Sequence, residues 1–550
     1  MKIQGKNLIL IGAGLLSAVA LAASQGAASR GDPWWYGNVF WPNVLVFLLP
    51  VIFGFGAIEL CNRLFLPGED GAFARKCTWW AFGSRLAFLI LAPIAMLLWG
   101  YESNRNLKGL VELDAVNAVD TAWHAAQSGG PILESWGRAP GDNTGGITVL
   151  GVTVFRLLSP DLERTLLLGL IAAAVTSLTV ITVFRLGAGL FSPAAAKAAA
   201  VIAAVFPEAV MIGSSHQQMG YMALILSMGL LGVAGLIRNS ESPRGGIGFP
   251  APRFAAALLA VAIVLSLAVS LQFSILGIGC LAVFTVWLAD PRKRPGRILW
   301  IGAGTVVVVL LGLRLLAWKD VIPRNWDFLF GQYKYIYGLA WLEFDKLSNS
   351  GGGDLFQNVL TGMEKGPAFL LAAVYGLIRP SLPAAIGYRN PSAQGGFFWQ
   401  MINIYRGLGW YLLLPVLLYG TLKSLRGFLA RKVETVLMMI FWLVTLIGSY
   451  RAFGDEWDNP RYRLFAIAPM ALLAAWGWVK QREESDPWFK RIVIPFAAAT
   501  VSLTVWYILR DYAMVEFPAV GSIVVIGAIT LAAFLLSVIF VRPKPGNPAG

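Results

Sequence analysis

The 550-residue chain is 57% hydrophobic and only 13% charged, with a formal net charge of +14. A soluble domain carries about 25% charged residues, so this composition excludes an ordinary water-soluble fold. The basic excess sits in short stretches between apolar runs, where membrane topology accounts for it without nucleic acid. Cys61, Cys77 and Cys280 are scattered, and His124 and His216 are the only histidines, which argues against disulfide frameworks, zinc sites and haem pairs.

Apolar runs long enough to cross a hydrocarbon core of about 30 Å recur throughout. They are continuous rather than alternating, so helices are expected instead of barrel strands. The predicted fold is therefore an all-α polytopic transmembrane bundle of about fourteen spans. These lie near residues 8–23, 42–62, 81–100, 164–186, 195–212, 218–237, 254–271, 273–289, 297–317, 409–423, 433–450, 463–480, 490–509 and 519–541. The first also reads as a cleavable signal peptide, with Lys2 and Lys6 before an apolar stretch and Ala20, Ala22 and Ala23 after it.

Alternate loops concentrate basic residues: Arg63, Arg75 and Lys76, then Arg238, Arg244 and Arg253, then Arg292 to Arg297, and later Lys423 to Lys432 and Lys480 to Arg491. The positive-inside rule places these loops and both termini in the cytoplasm of a cell-membrane protein. The longer segments 101–163 and 319–408 and the short loop 451–463 are then extracytoplasmic. Four regions are expected: two N-terminal spans (1–80), a core (81–318) containing the first outer loop, an outer and interfacial segment (319–408), and C-terminal spans (409–550). The run 367–386 is apolar, but Arg379, Pro380 and Pro383 interrupt it, which suits an interfacial helix.

The first outer loop holds Glu112, Asp114 and Asp120, with Ala115, Ala118, Ala122 and Ala125 at helical spacing. This predicts an amphipathic surface helix with carboxylates at its start. Such a carboxylate suits a general base; a solvated acidic loop is the alternative. Gly129 to Pro131 end the helix, Arg138 to Gly146 form a Gly-rich linker, and 147–158 is apolar but too short to cross.

A span, an outer loop opening on an acidic residue, alanines four and eight residues beyond Asp114, a glycine turn and a short apolar helix together resemble the GT-C superfamily. These are polytopic glycosyltransferases such as protein mannosyltransferases and aminoarabinose transferases. The chain has Ala118 where the family usually has an aromatic residue and Ala115 where a second acid is common, and Asp120 followed by Trp123 competes for the same role. The outer turn after Pro207, the Arg461-Tyr462 opening of a late span ahead of Pro469, and the Arg379-Pro380 stretch also resemble the family. The resemblance covers roughly residues 81 to 480.

It implies transfer of a sugar from a polyprenyl-phosphate donor to a glycan, lipid or protein acceptor, with inversion, and Asp114 or Asp120 as base. Arg461, Tyr462 and Arg463 are candidate phosphate-binding residues, since guanidinium groups grip phosphate bidentately. Pairing of these arginines with Asp455, Glu456 and Asp458 is the alternative. Glu208, His216 and Arg138 complete the substrate-binding candidates. Trp326, Tyr333, Tyr335, Tyr337 and Trp341 suit an interface belt or a sugar platform. No Gly-rich nucleotide loop follows a strand, so a nucleotide cofactor is not expected; no metal ligand set is visible, and a divalent metal remains open. The rival readings are a flippase for lipid-linked oligosaccharide, expected to show repeats and broken helices at mid-membrane, and a polysaccharide polymerase or ligase.

Overall fold

The computed structural model describes residues 5–28, 40–69, 71–100, 108–136, 145–238, 249–290, 295–318, most of 337–345, 364–387, 396–452, 458–513, 515 and 518–541. The chain divides into two compact units, residues 1–328 and 329–550.

Unit 1 runs α1 (Gly5–Ala28), α2 (Phe40–Phe65), α3 (Ala72–Trp99), α4 (Leu113–Gln127), α5 (Gly146–Leu158), α6 (Thr165–Ser177), α7 (Thr179–Leu190), α8 (Pro193–Val205), α9 (Pro207–Gly213), α10 (Gln218–Arg238), α11 (Pro252–Val269), α12 (Leu271–Ala289) and α13 (Pro295–Trp318). Unit 2 runs α14 (Lys365–Leu377), α15 (Leu382–Gly387), α16 (Phe397–Leu425), α17 (Val433–Ala452), α18 (Asp458–Phe465), α19 (Ile467–Glu484), α20 (Pro487–Asp511) and α21 (Ala519–Phe540). The described residues contain no strand. The protein is a polytopic helical bundle, as the continuous apolar runs required.

Among the described residues, eleven helices are long and apolar enough to cross a membrane, or twelve if one bent pair is a single span. Eleven of the fourteen predicted spans find a counterpart among them, and two of the others differ for physical reasons. The run predicted at 8–23 lies within α1, a single helix of 24 residues. The run predicted at 195–212 is broken into α8 and α9, inclined by 50°, because Pro207 supplies no N–H to continue the helix. The run predicted at 463–480 divides at Ala466, and the last turns of α19 read VKQREE, too polar for a lipid core. The 367–386 run folds as α14 and α15, thirteen and six residues long, neither of which reaches across a bilayer.

Burial sorts the spans. The apolar windows of Thr165–Leu190 and Gln218–Arg238 are 78% and 89% buried, whereas Pro295–Leu315 is 0% buried. The first two form the heart of unit 1, and the last keeps its apolar side chains outward, as lipid permits. Local chemistry fixes the helix starts. Ser192 accepts from the Ala195 amide at the start of α8, with Pro193 as the first helical residue, and Asp486 accepts from the Trp488 amide ahead of α20 in the same way.

Candidate functional site

The loop between α3 and α6 is built from α4 and α5, as its alanine periodicity predicted. Ala115, Val116, Val119, Ala122 and Ala126 form the buried stripe of α4. Trp123 meets Phe155 of α5 edge-on at 5.3 Å between ring centres. A Cβ on Gly151 would lie 2.6 Å from the Ala122 Cβ, so the two helices touch through their small residues. Arg156 donates to the Ala125 and Ala126 carbonyls, satisfying the C-terminal end of α4.

Glu112 immediately precedes α4 and is buried, while Asp114 stands in the first turn and is exposed. A carboxylate in that turn is favoured by the helix dipole. Asp120 is half-buried and accepts from Lys108 Nζ at 2.7 Å. The same ammonium reaches Glu163 at 2.7 Å. Six residues of helix separate Asp114 from Asp120, which turns them about 120° apart around the axis. The two candidate bases therefore face different surroundings: Asp114 is exposed, and Asp120 is half-buried beside Lys108.

The Lys108 cluster ties the loop entrance, α4 and the approach to α6 together. Burial alone would lower the Lys108 pKa, but its hydrogen bonds to Asp120 and Glu163 raise it above the usual lysine value. Burial raises Glu163 above the usual carboxylate range, against the pull of Lys108. Because the lysine's folded pKa is raised, its contribution to stability is fully present below the ordinary lysine value and lost as pH rises through the raised one. Replacing Lys108 with Met is expected to destabilise by about 1 kcal/mol at neutral pH, a modest figure because water reaches the pair. The loss should shrink toward pH 4, where protonation relieves the repulsion between Asp120 and Glu163; thermal melts in detergent at both pH values would check this.

Glu208 and His216 are both buried. His216 Nε2 lies 3.0 Å from the Ile147 carbonyl and Nδ1 lies 3.0 Å from the Tyr221 hydroxyl. A carbonyl only accepts, so Nε2 carries the proton and Nδ1 accepts from Tyr221. Burial pushes the imidazole down to about 4, so it stays neutral at physiological pH. With both nitrogens engaged in protein, His216 is placed to hold α5 rather than to meet a substrate. The neighbouring Gln217 donates to Glu112 at 2.6 Å.

Sequence reading passed over Arg85, which is buried in the middle of α3. Its guanidinium donates to the Ala81 carbonyl at 2.9 Å and to the Ala204 carbonyl, next to the α8–α9 break, at 3.5 Å. The Arg85 side chain occupies the space a Cβ would take at Gly213, where the Gly213 carbonyl also accepts from Thr176. A charged side chain is therefore buried within α3, far from either end of the helix. An arginine within a span was visible in the sequence; its partner at a helix break 119 residues away was not.

In unit 2, Arg461 is half-buried, and Tyr462 and Arg463 are buried. Arg463 donates to the carbonyls of Leu377 and Arg379, and its guanidinium lies 3.9 Å above the centre of the Trp410 ring. Trp410 itself donates to the Leu377 carbonyl at 3.1 Å. Arg379 stacks on Tyr375 and Arg451 on Tyr462. Arg463 is thus occupied in fastening α18 to the end of α14, leaving Arg461 as the more accessible of the two arginines. Tyr337 and Trp341 stack edge-on, and Trp341 packs against the Ala340, Phe344 and Tyr375 cluster. Arg138, Trp326, Tyr333, Tyr335, Asp455 and Glu456 lie outside the described residues, as does the side chain of Asp458. Among the described residues no group of three or more His, Cys, Asp or Glu stands together as metal ligands.

No protein-family profile and no curated protein sequence matches the chain. Among solved structures it is similar to the archaeal oligosaccharyltransferase AglB from Archaeoglobus fulgidus in complex with an inhibitory peptide and a dolichol-phosphate. The TM-score is 0.40 at 13% identity, with 86% of this chain covered. The chain spans 57% of the length of that structure.

Proposed function

We propose that the chain is a membrane glycosyltransferase of GT-C type, moving a sugar from a polyprenyl-phosphate donor to an acceptor on the extracytoplasmic side. The observation that carries this reading is α4, an amphipathic helix in an inter-span loop whose first turn holds an exposed carboxylate, Asp114, beside the buried Glu112. Asp114 is the base, because it stands exposed in the first turn of α4, where an acceptor can reach it. The carboxylate takes the proton of an acceptor hydroxyl or amine. The acceptor atom bonds to the anomeric carbon as the bond to phosphate breaks, and polyprenyl phosphate leaves with that electron pair.

In proteoliposomes, Asp114→Asn is expected to lower transfer by about a hundredfold or more, and Asp120→Asn to lower it far less. Normal rates in both variants, each correctly inserted, would remove the catalytic assignment.

A second reading, a carrier for lipid-linked oligosaccharide, draws on the broken α8–α9 span and the buried Arg85 beside it, features that transporters place at mid-membrane. Movement of a labelled lipid-linked glycan between leaflets without glycosidic bond formation would favour it over transfer.

A further inference from the structure

We infer that Gln217 and Glu112 form a positioning pair: the Gln217 amide holds the Glu112 carboxylate and thereby fixes the roll of α4, which carries Asp114. What α4 is positioned to do rests on the transfer reading above; the pair itself rests on geometry.

The two side chains meet at 2.6 Å, both buried, across 105 residues of sequence. The amide nitrogen only donates, so Gln217 Nε2 is the donor and a Glu112 carboxyl oxygen the acceptor. Glu112 is the residue from which α4 starts: its carbonyl accepts from the Val116 amide, closing the first helical turn. Holding the Glu112 side chain therefore holds the beginning of the helix.

The adjacent residue of the same turn does the equivalent for α5. His216 donates to Ile147, the second residue of that helix, and is itself fixed by Tyr221 of α10. One four-residue turn between α9 and α10 thus grips both helices of the loop at their first turns. The middle of α4 is held by Lys108 through Asp120, and its C-terminal end by Arg156 through the terminal carbonyls. With both ends fixed, α4 can neither slide nor turn without breaking a bond. A roll of about 20° about the helix axis would displace a carboxylate by about 2 Å, and a displacement of about 1 Å can cost a hundredfold in rate.

The test exchanges the partners in the full-length protein reconstituted in liposomes. The variants are Gln217→Glu, Glu112→Gln, the reciprocal double exchange, and Gln217→Leu. Each is read by hydrogen exchange of residues 112–119 and by turnover of synthetic polyprenyl-phosphate hexose and pentose, with monodisperse elution as the folding control. Gln217→Glu sets two carboxylates against each other and is expected to speed exchange and slow turnover, each by about tenfold or more. Gln217→Leu should act in the same direction. Glu112→Gln keeps an amide-to-amide bond and should stay within about threefold of the parent on both readouts. The double exchange restores a carboxylate and an amide and should recover both.

Unchanged exchange in Gln217→Glu, or no recovery in the double exchange, overturns the pair. Loss of turnover in Glu112→Gln with normal exchange also overturns it, since Glu112 would then be needed for its charge. If the parent protein turns over none of these donors, the transfer reading fails on its own, and recovery of exchange protection by the double variant still decides the pair.

Discussion

Replacing Arg164 with methionine is expected to destabilise unit 1 by about 3 kcal/mol, seen as a lower melting midpoint of the purified protein. Arg164 is buried, yet its guanidinium serves three partners: Asn43 Oδ1 at 2.7 Å, Ser159 Oγ at 2.8 Å, and both carboxylate oxygens of Asp161 at 2.7 and 3.1 Å. The ion pair itself is not the main source of the effect, because the Asp161 side chain is 64% exposed and an exposed pair contributes little. The larger part comes from buried Asn43, near the start of α2, which loses a charged donor, together with the void left where the guanidinium lay.

Asp161→Asn should therefore cost less than about 1 kcal/mol. The hydrogen bond from Arg164 lowers the Asp161 pKa. A depressed folded pKa gives stability that is present above the ordinary aspartate range and is lost as pH falls through the lowered value. That acid-side component should vanish in both variants. A loss in Asp161→Asn equal to that in Arg164→Met would mean the salt bridge, not the buried polar contact, does the holding.

Gly146→Ala is the second large effect, expected to cost about 2–4 kcal/mol through overpacking. A Cβ at this first residue of α5 would lie 2.8 Å from the Ala268 carbonyl carbon and nearer still to its oxygen, at the end of α11. Those are backbone atoms, so no rotamer change relieves the clash; α5 or α11 has to move. Because the Ile147 carbonyl, one residue on, accepts from His216, displacement of α5 should also strain that bond. Gly83→Ala supplies the contrast: nothing lies within 4 Å of its Cβ position on α3, and alanine is favoured over glycine in a helix by about 1 kcal/mol. Melting both variants side by side checks the prediction, and equal midpoints would refute it.

Apolar runs made the bundle legible, since a stretch of about 20 apolar residues has few other fates. The helical spacing of Ala115, Ala118, Ala122 and Ala125 likewise announced α4, whose buried stripe runs through Ala115, Val116, Val119, Ala122 and Ala126. What the sequence could not announce were the pairings. Nothing local to Glu112 points to Gln217, and nothing in α3 says that Arg85 reaches the Ala204 carbonyl. Such contacts depend on how helices pack after they form, and hydrophobic periodicity carries no record of which polar groups then meet. The choice between Asp114 and Asp120 was illegible for the same reason: the two differ through Lys108, which precedes the helix and folds back along it. Pro207 was a legible warning, but an apolar flank on both sides made an unbroken span the natural reading. The missing N–H and the bend of 50° are one fact seen at two levels.

A bent rod is a shorter rod. Along the axis of α8, its thirteen residues and the seven inclined residues of α9 advance about 26 Å, where a straight helix of that length would advance about 30 Å. All seven residues of α9 are buried, so the deficit of about 4 Å is taken up by the protein packed around the bend rather than by lipid.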